Sequence, residues 1–278
     1  MFKPKSIYFE KNIENYELGK ELLEKYREVP KIEIENHNNI EEMRKRSNKE
    51  FVDMKRNLII GVRKTHKFVE NHKTSDYLVP YTSSGCTASC MYCYLVCNYN
   101  KCSYLRLFVN REEMLDKIIR TAKNFEKELT FEIGSNSDLI LENTITNNLV
   151  WTIENFKSTK KGRLTFPTKF DMVDNILDLN HKGKVTIRMS VNPDYIINRV
   201  EFGTSRLDGR IEAINNYVHT KINEEAFPNS INLYNKEIMK GSGRGKYRYK
   251  EEIKKDGEIF LREQMNKYFP NNKIEYIV

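Results

Sequence analysis

The sequence predicts an α/β protein built from parallel strands alternating with helices, and three observations carry that expectation. From about residue 57 onward, short apolar and β-branched runs alternate with helical stretches across short connections. Polar residues collect where those runs end: Ser84, Ser135 to Asp138, Thr168–Lys169 and Ser190–Asn192. Strand ends of that kind are where α/β folds place their sites. Finally, 278 residues with 39% hydrophobic and 31% charged side chains can fill a core and cover it with a polar surface. An open sheet and a barrel both satisfy the alternation.

The elements follow in order. Residues 1–56 are charged and partly helical, with "NYELGKELLEKY" the clearest amphipathic piece. "NLIIGVRKT" and "DYLVPYTSSG" read as strands, the second running straight into a cysteine-rich loop. "REEMLDKIIRTAKNFEKE" has helical spacing, with Asn110 as N-cap and acids in the first turn. "LTFEIGS" reads as a strand, "TITNNLVWTIENFKS" as one helix, and "GRLTFPTKF" as a strand. "DMVDNILDLNHKG" reads as a helix from Asp171, closed by Gly183. "KVTIRMSVN" is a further strand and "RLDGRIEAINNYV" opens a further helix. The layout predicts an N-terminal extension over 1–76, a barrel-like body over 77–220, and a C-terminal segment over 221–278.

Bulk properties narrow the setting. No run of 18 or more apolar residues is present, so no membrane span and no membrane partner are expected. "MFKPKSIYFEKN" lacks the apolar centre of a secretory signal, which argues for the cytoplasm. With 47 basic against 39 acidic residues the net charge is +8, a balance that suits polyanionic partners such as nucleic acid but does not by itself select one.

All five cysteines lie between Cys86 and Cys102. A secreted disulfide framework would spread them, whereas clustered thiols in a reducing compartment more often bind metal. Structural zinc closes with four ligands, so a zinc knuckle would recruit Cys97 or Cys102 beside the first three. Cys86, Cys90 and Cys93 instead show C-x3-C-x2-C spacing, which ligates three irons of a 4Fe–4S cluster and leaves the fourth open. This spacing, with Tyr92 before the last cysteine, resembles that of the radical S-adenosylmethionine (SAM) enzymes.

A closer resemblance spans nearly the whole chain. "LIIGVRKT", "SDYLVPYTSSGC", "CMYCYL", "SYLRLFVN", "FEIGSNSDL", "GRLTFPTKF", "VTIRMSVNPDYIINRVEFGTSRLDGRIEA" and "GKYRYKEE" together look like the spore photoproduct lyase family. That resemblance implies a partial (β/α) barrel of the radical SAM type. It implies a DNA-repair lyase that converts 5-thyminyl-5,6-dihydrothymine to two thymines through a 5′-deoxyadenosyl radical, in a sporulating cell or germinating spore. Its partners would be double-stranded DNA carrying this thymine dimer and an electron donor such as ferredoxin or flavodoxin. Cys86, Cys90 and Cys93 would ligate the cluster. Ser137, Lys169 and Ser190 would contact SAM, Lys169 being suited to the methionine carboxylate. Tyr92 and Tyr94 would form the radical relay, or would simply pack the loop. "KGSGRGKYRYK" would be the DNA-binding hairpin, with Lys240, Arg244, Lys246, Tyr247 and Arg248 meeting phosphates or bases.

The chain departs from the family pattern twice. Ser135 stands where the family carries its hydrogen-donating cysteine, and a serine O–H bond is too strong to serve a carbon radical. Cys97 is therefore expected to be the donor, with Cys102 as the alternative. After "GRIEAINNYV" the sequence reaches the hairpin almost directly, omitting on the order of fifty residues, roughly one and a half to two βα units. The barrel is thus expected to lack some C-terminal units. Two other readings stay open: a non-catalytic DNA-binding paralogue, and a radical SAM enzyme of another substrate.

Overall fold

The computed structural model describes residues 2–95, 104–218, 239–241, 247–249, 255–256 and 259. Two compact units emerge: Met1–Ser89 with Cys93–Ser190, and Cys90–Tyr92 with Val191–Val278.

Two five-stranded sheets form the first unit. In chain order its strands are β1 (Ser6–Glu10), β2 (Lys31–Ile34), β3 (Asn57–Gly61), β4 (Val69–Glu70), β5 (Tyr77–Leu78), β6 (Ser83–Ser84), β7 (Ser89–Cys90, at the boundary with the second unit), β8 (Leu105–Phe108), β9 (Thr130–Glu132), β10 (Arg163–Thr168) and β11 (Val185–Met189). The first sheet runs β2-β1-β3-β8-β6, parallel except for the β6–β8 pair. The second runs β11-β10-β9-β5-β4, parallel except for β4–β5. A parallel bridge between Gly85 and Ser137 links the segments that follow β6 and β9. Among the described residues the sheets do not close, as a partial barrel requires, and β11 is an edge strand.

Burial explains why these segments become strands. Every residue of β3 is buried, as a parallel strand covered on both faces must be. Ile7, Leu58, Ile60, Leu105 and Leu107 face one core with Leu18 and Leu22 of the helix Glu17–Lys25. Tyr8 and Ile59 alternate to the opposite face against Met43 and Met54. The helix Arg111–Lys123 buries Met114, Leu115, Ile118 and Ala122, with acids in its first turn and Arg120 and Lys123 in its last.

Several local expectations change. The segment 1–56, read as partly helical, also supplies β1 and β2, and β1 lies between β2 and β3. "DYLVPYTSSG" splits into β5 and β6 in different sheets, because Pro80 between them cannot donate to a ladder. The single helix expected at 144–158 is two, Leu139–Thr146 and Asn148–Phe156, parted at Asn147 with φ 56°. The helix expected from Asp171 shrinks to Asp174–Leu177. Asn110 stands at the predicted N-cap position but makes no capping bond; its side chain instead joins Arg63 N, Arg63 O and Glu113.

The second unit, by itself, contains the helix Asp194–Val200, β12 (Glu201–Phe202) and the helix Leu207–Val218. It also contains an antiparallel pair, β13 (Met239–Gly241) with β14 (Tyr247–Tyr249), where Lys240 faces Arg248. The expected hairpin is therefore present as two paired strands. Arg244 and Lys246 fall outside the described residues, as do positions 219–238, where the sequence omits its expected barrel units.

Candidate active site

Parallel pairing brings the candidate cofactor residues to one rim. β9, β10 and β11 are neighbours, so the segments leaving their carboxyl ends emerge side by side. Ser135 and Ser137 follow β9, Lys169 follows β10 and Ser190 follows β11; all four are half-buried. The ladder continues past the strands: Ile133 N donates to Thr165 O at 3.0 Å and Ser190 N to Thr168 O at 2.8 Å. Gly134 approaches β10 so closely that a Cβ there would lie 2.8 Å from Phe166 Cβ.

A buried aspartate ties this rim together. Asp138 caps the helix Leu139–Thr146 by accepting from Ile140 N at 3.2 Å and Leu141 N at 3.4 Å. It also accepts from Thr168 Oγ1 at 2.8 Å and Lys169 N at 2.9 Å, so one carboxylate fixes the exits of both β9 and β10. Burial pushes its pKa up, opposed by those hydrogen bonds. One helical turn on, the fully buried Glu142 accepts from Ser83 Oγ at 2.5 Å, Thr82 Oγ1 at 2.9 Å and Asn148 Nδ2 at 2.8 Å. Burial also pushes its pKa up, again against the hydrogen bonds it accepts. Ser83 Oγ in turn lies 2.6 Å from Ser137 Oγ.

The cysteine loop starts at Gly85, whose φ of 72° turns the chain out of β6 in a conformation that favours glycine. Gly85 N donates to Asn136 O at 2.7 Å, which docks the loop entrance on the segment after β9. Lys55 Nζ holds Cys86 O at 2.7 Å and Ala88 N donates to Cys86 Sγ at 3.2 Å. Cys86, Cys90 and Cys93 are half-buried. Among the described residues, no three His, Cys, Asp or Glu side chains are gathered as a metal group. The donor set nevertheless suits an iron–sulfur cluster: three soft sulfurs in one short loop, one of them already accepting a backbone N–H.

Tyr92 and Tyr94 are exposed but tethered. In the first unit, the Tyr94 hydroxyl donates to the carbonyl of Ser135. In the second, the Tyr92 hydroxyl donates to Glu201 Oε1, which also accepts from Asn192 Nδ2 at 2.7 Å. Glu201 Oε2 accepts from Arg210 Nη2 at 2.6 Å, and both of these side chains are fully buried. Arg210 is fixed further by Thr204 Oγ1 at 2.8 Å and Ser205 O at 3.0 Å. Cys97 and Cys102 lie outside the described residues.

Comparison with known proteins identifies the family. A family model described as spore photoproduct lyase matches residues 2–229. The chain belongs to the spore photoproduct lyase family. It is 38% identical over 217 residues to the spore photoproduct lyase of Bacillus subtilis (strain 168), covering 76% of this chain and 63% of that protein. It is 30% identical over 218 residues to the spore photoproduct lyase of Clostridium acetobutylicum, covering 77% of this chain and 64% of that one. The chain thus spans less than two thirds of the length of these curated relatives. A solved spore photoproduct lyase complexed with dinucleoside spore photoproduct superposes with a TM-score of 0.83 at 27% identity, covering 97% of each chain. A variant of that lyase with bound AdoMet and dinucleoside spore photoproduct gives 0.83 at 26% identity, again over 97% of each chain.

The sequence signals mark Asp138 only as part of a polar strand end, not as a clamp, and do not mark Glu142, Glu201 or Arg210. Asp138 had a readable signal, an N-capping acid directly before the apolar run "LILENT". Glu142 is the only charge in that run, which could have marked it. Glu201 and Arg210 pair across nine positions of "EFGTSRLDGR" and carried no local signal.

Proposed function

We propose that this chain is a DNA-repair lyase that returns spore photoproduct to two thymines, using a 4Fe–4S cluster and S-adenosylmethionine. The observation that carries the reading is the family match over residues 2–229, which includes Cys86, Cys90 and Cys93 at C-x3-C-x2-C spacing. Two solved relatives, one complexed with dinucleoside spore photoproduct and one with AdoMet bound as well, support this choice of substrate and cofactor.

In this reading the three cysteines hold the cluster. When bound, the cluster and SAM would supply one-electron cleavage of a carbon–sulfur bond and so the radical chemistry that opens the lesion. Ser137, Lys169 and Ser190 bind and orient SAM at the rim of β9–β11, with Asp138 holding the Lys169 backbone in place. Tyr92 and Tyr94 relay the hydrogen atom, and Ser135, which cannot donate it, leaves that task to Cys97. Lys240, Arg244, Lys246, Tyr247 and Arg248 meet the phosphates and bases of the DNA, a reading supported by the paired strands β13 and β14 and by the basic sequence of this segment. The enzyme works in the cytoplasm, drawing its electron from a ferredoxin or flavodoxin. No described helix is long and apolar enough to cross a membrane.

The test is anaerobic reconstitution with iron and sulfide, followed by dithionite, SAM and lesion-bearing DNA. The expected products are 5′-deoxyadenosine and thymine. A purified protein that carries zinc, or that makes no 5′-deoxyadenosine, overturns the assignment. Cys97→Ala should make the radical product but release little repaired thymine; wild-type repair by that variant removes Cys97 as donor.

A further inference from the structure

We infer that Glu201, held by Arg210 and Asn192, is a positioning residue for the cysteine loop: by accepting the Tyr92 hydroxyl it sets the stretch Cys90–Tyr92 in the conformation that an iron–sulfur cluster requires. This rests on the reading above that Cys86, Cys90 and Cys93 hold the cluster.

Apolar burial does little to fix this part of the loop. Met91 and Tyr92 are 73% and 51% exposed, so hydrogen bonds must order the two residues between the second and third cysteines. Two consecutive residues after the helix Asp194–Val200 begins to end meet those two in step. Met91 N donates to Val200 O at 2.8 Å, and the Tyr92 hydroxyl donates to Glu201 Oε1. One bond therefore lies next to Cys90 and the other next to Cys93. A loop already held in place spares the cluster the entropy of ordering it.

The acceptor is itself immobilised. Asn192 Nδ2 donates to Glu201 Oε1 at 2.7 Å and lies 3.4 Å from the Tyr92 hydroxyl, which closes a triangle. Arg210 Nη2 donates to Glu201 Oε2 at 2.6 Å, and the guanidinium is anchored by Thr204 Oγ1 at 2.8 Å and Ser205 O at 3.0 Å. Both side chains are fully buried. A buried ion pair of this kind stabilises a fold little more than apolar side chains of similar volume would. Apolar side chains, however, could not accept the Tyr92 hydroxyl. Glu201 supplies that acceptor, and Arg210 balances the charge it brings into the interior.

Two double variants separate this role from stability. Arg210→Met/Glu201→Met and Arg210→Met/Glu201→Gln both remove the buried charges, but only the glutamine keeps an oxygen that accepts from Tyr92. Tyr92→Phe removes the donor alone.

The experiment is anaerobic reconstitution of each full chain with iron and sulfide, then challenge with excess iron chelator while the visible absorbance of the cluster is followed. Tyr92→Phe and Arg210→Met/Glu201→Met should lose the cluster about ten-fold faster than wild type, the usual effect of removing a support behind a metal ligand. Arg210→Met/Glu201→Gln should lose it at nearly the wild-type rate. Adding Tyr92→Phe to Arg210→Met/Glu201→Met should change nothing further, since both break the same link. Equal loss from the two double variants, wild-type retention in Tyr92→Phe, or additive effects overturn the inference alone. Wild type that takes up no cluster overturns the assignment of the cysteines as well. A second readout needs no cluster: amide hydrogen exchange at Met91 should quicken in Tyr92→Phe and Arg210→Met/Glu201→Met, with the helix Arg111–Lys123 unchanged. Exchange that quickens equally in both places, or in neither, overturns the inference.

Discussion

Arg210→Met removes a buried guanidinium and leaves its partner behind. Arg210 and Glu201 are fully buried and meet at 2.6 Å, so neither charge has water to fall back on. After the substitution Glu201 keeps Asn192 Nδ2 at 2.7 Å and the Tyr92 hydroxyl, both on Oε1. Oε2 loses the Arg210 bond. Methionine fills most of the volume, so the cost is electrostatic rather than a cavity. Removing one member of a buried pair costs about 3–5 kcal/mol. Against a typical total of about 5–15 kcal/mol, that is about a fifth of the stability or more. Urea unfolding followed by far-ultraviolet circular dichroism measures it. Adding Glu201→Gln should recover at least about half of the loss, because a neutral amide still accepts from Tyr92 and Asn192 but carries no stranded charge. If Arg210→Met unfolds within about 0.5 kcal/mol of wild type, Glu201 carries no buried charge that needs Arg210, and the reasoning fails.

Asp138→Ala should destabilise by about 2–4 kcal/mol in thermal unfolding, losing the helix cap and stranding Thr168 Oγ1 and Lys169 N. It should also weaken SAM binding, and an unchanged affinity would separate Asp138 from the pocket. Gly134→Ala should cost about 1–3 kcal/mol in denaturant unfolding, because its Cβ meets Phe166 Cβ at 2.8 Å and Pro167 Cδ at 3.3 Å; a neutral result means β9 and β10 can move apart freely. Glu10 is buried, which raises its pKa, but hydrogen bonds from the His37 ring and from Val62 N and His37 N outweigh burial and leave it below 4.5. Its stabilisation is therefore present above pH 4.5 and fades as pH falls through the lowered value. Glu10→Gln should be less stable than wild type at neutral pH and should flatten the decline below pH 4.5; parallel urea-midpoint profiles for the two proteins would contradict this.

The sequence by itself determined the α/β alternation, the cysteine loop and the rim residues, because each is a local signal. Apolar runs with period 2 or 3.6 announce strands and helices, and β3, β10, β11 and the helix Arg111–Lys123 form where those periods lie. The C-x3-C-x2-C spacing needs no partner elsewhere to be read, and polar strand exits mark Ser135, Ser137, Lys169 and Ser190. Boundaries failed where one residue overruled a period, as Pro80 and Asn147 did. Only the tertiary structure decided that β1 joins the first sheet, that Asp138 clamps two strand exits, and that the Ser83 hydroxyl lies between Glu142 and Ser137. Likewise, it alone pairs Glu201 with Arg210 and hangs Tyr92 on that pair. Hydrogen-bond direction and buried charge depend on which groups meet at about 3 Å after folding, and no spacing along the chain encodes that meeting.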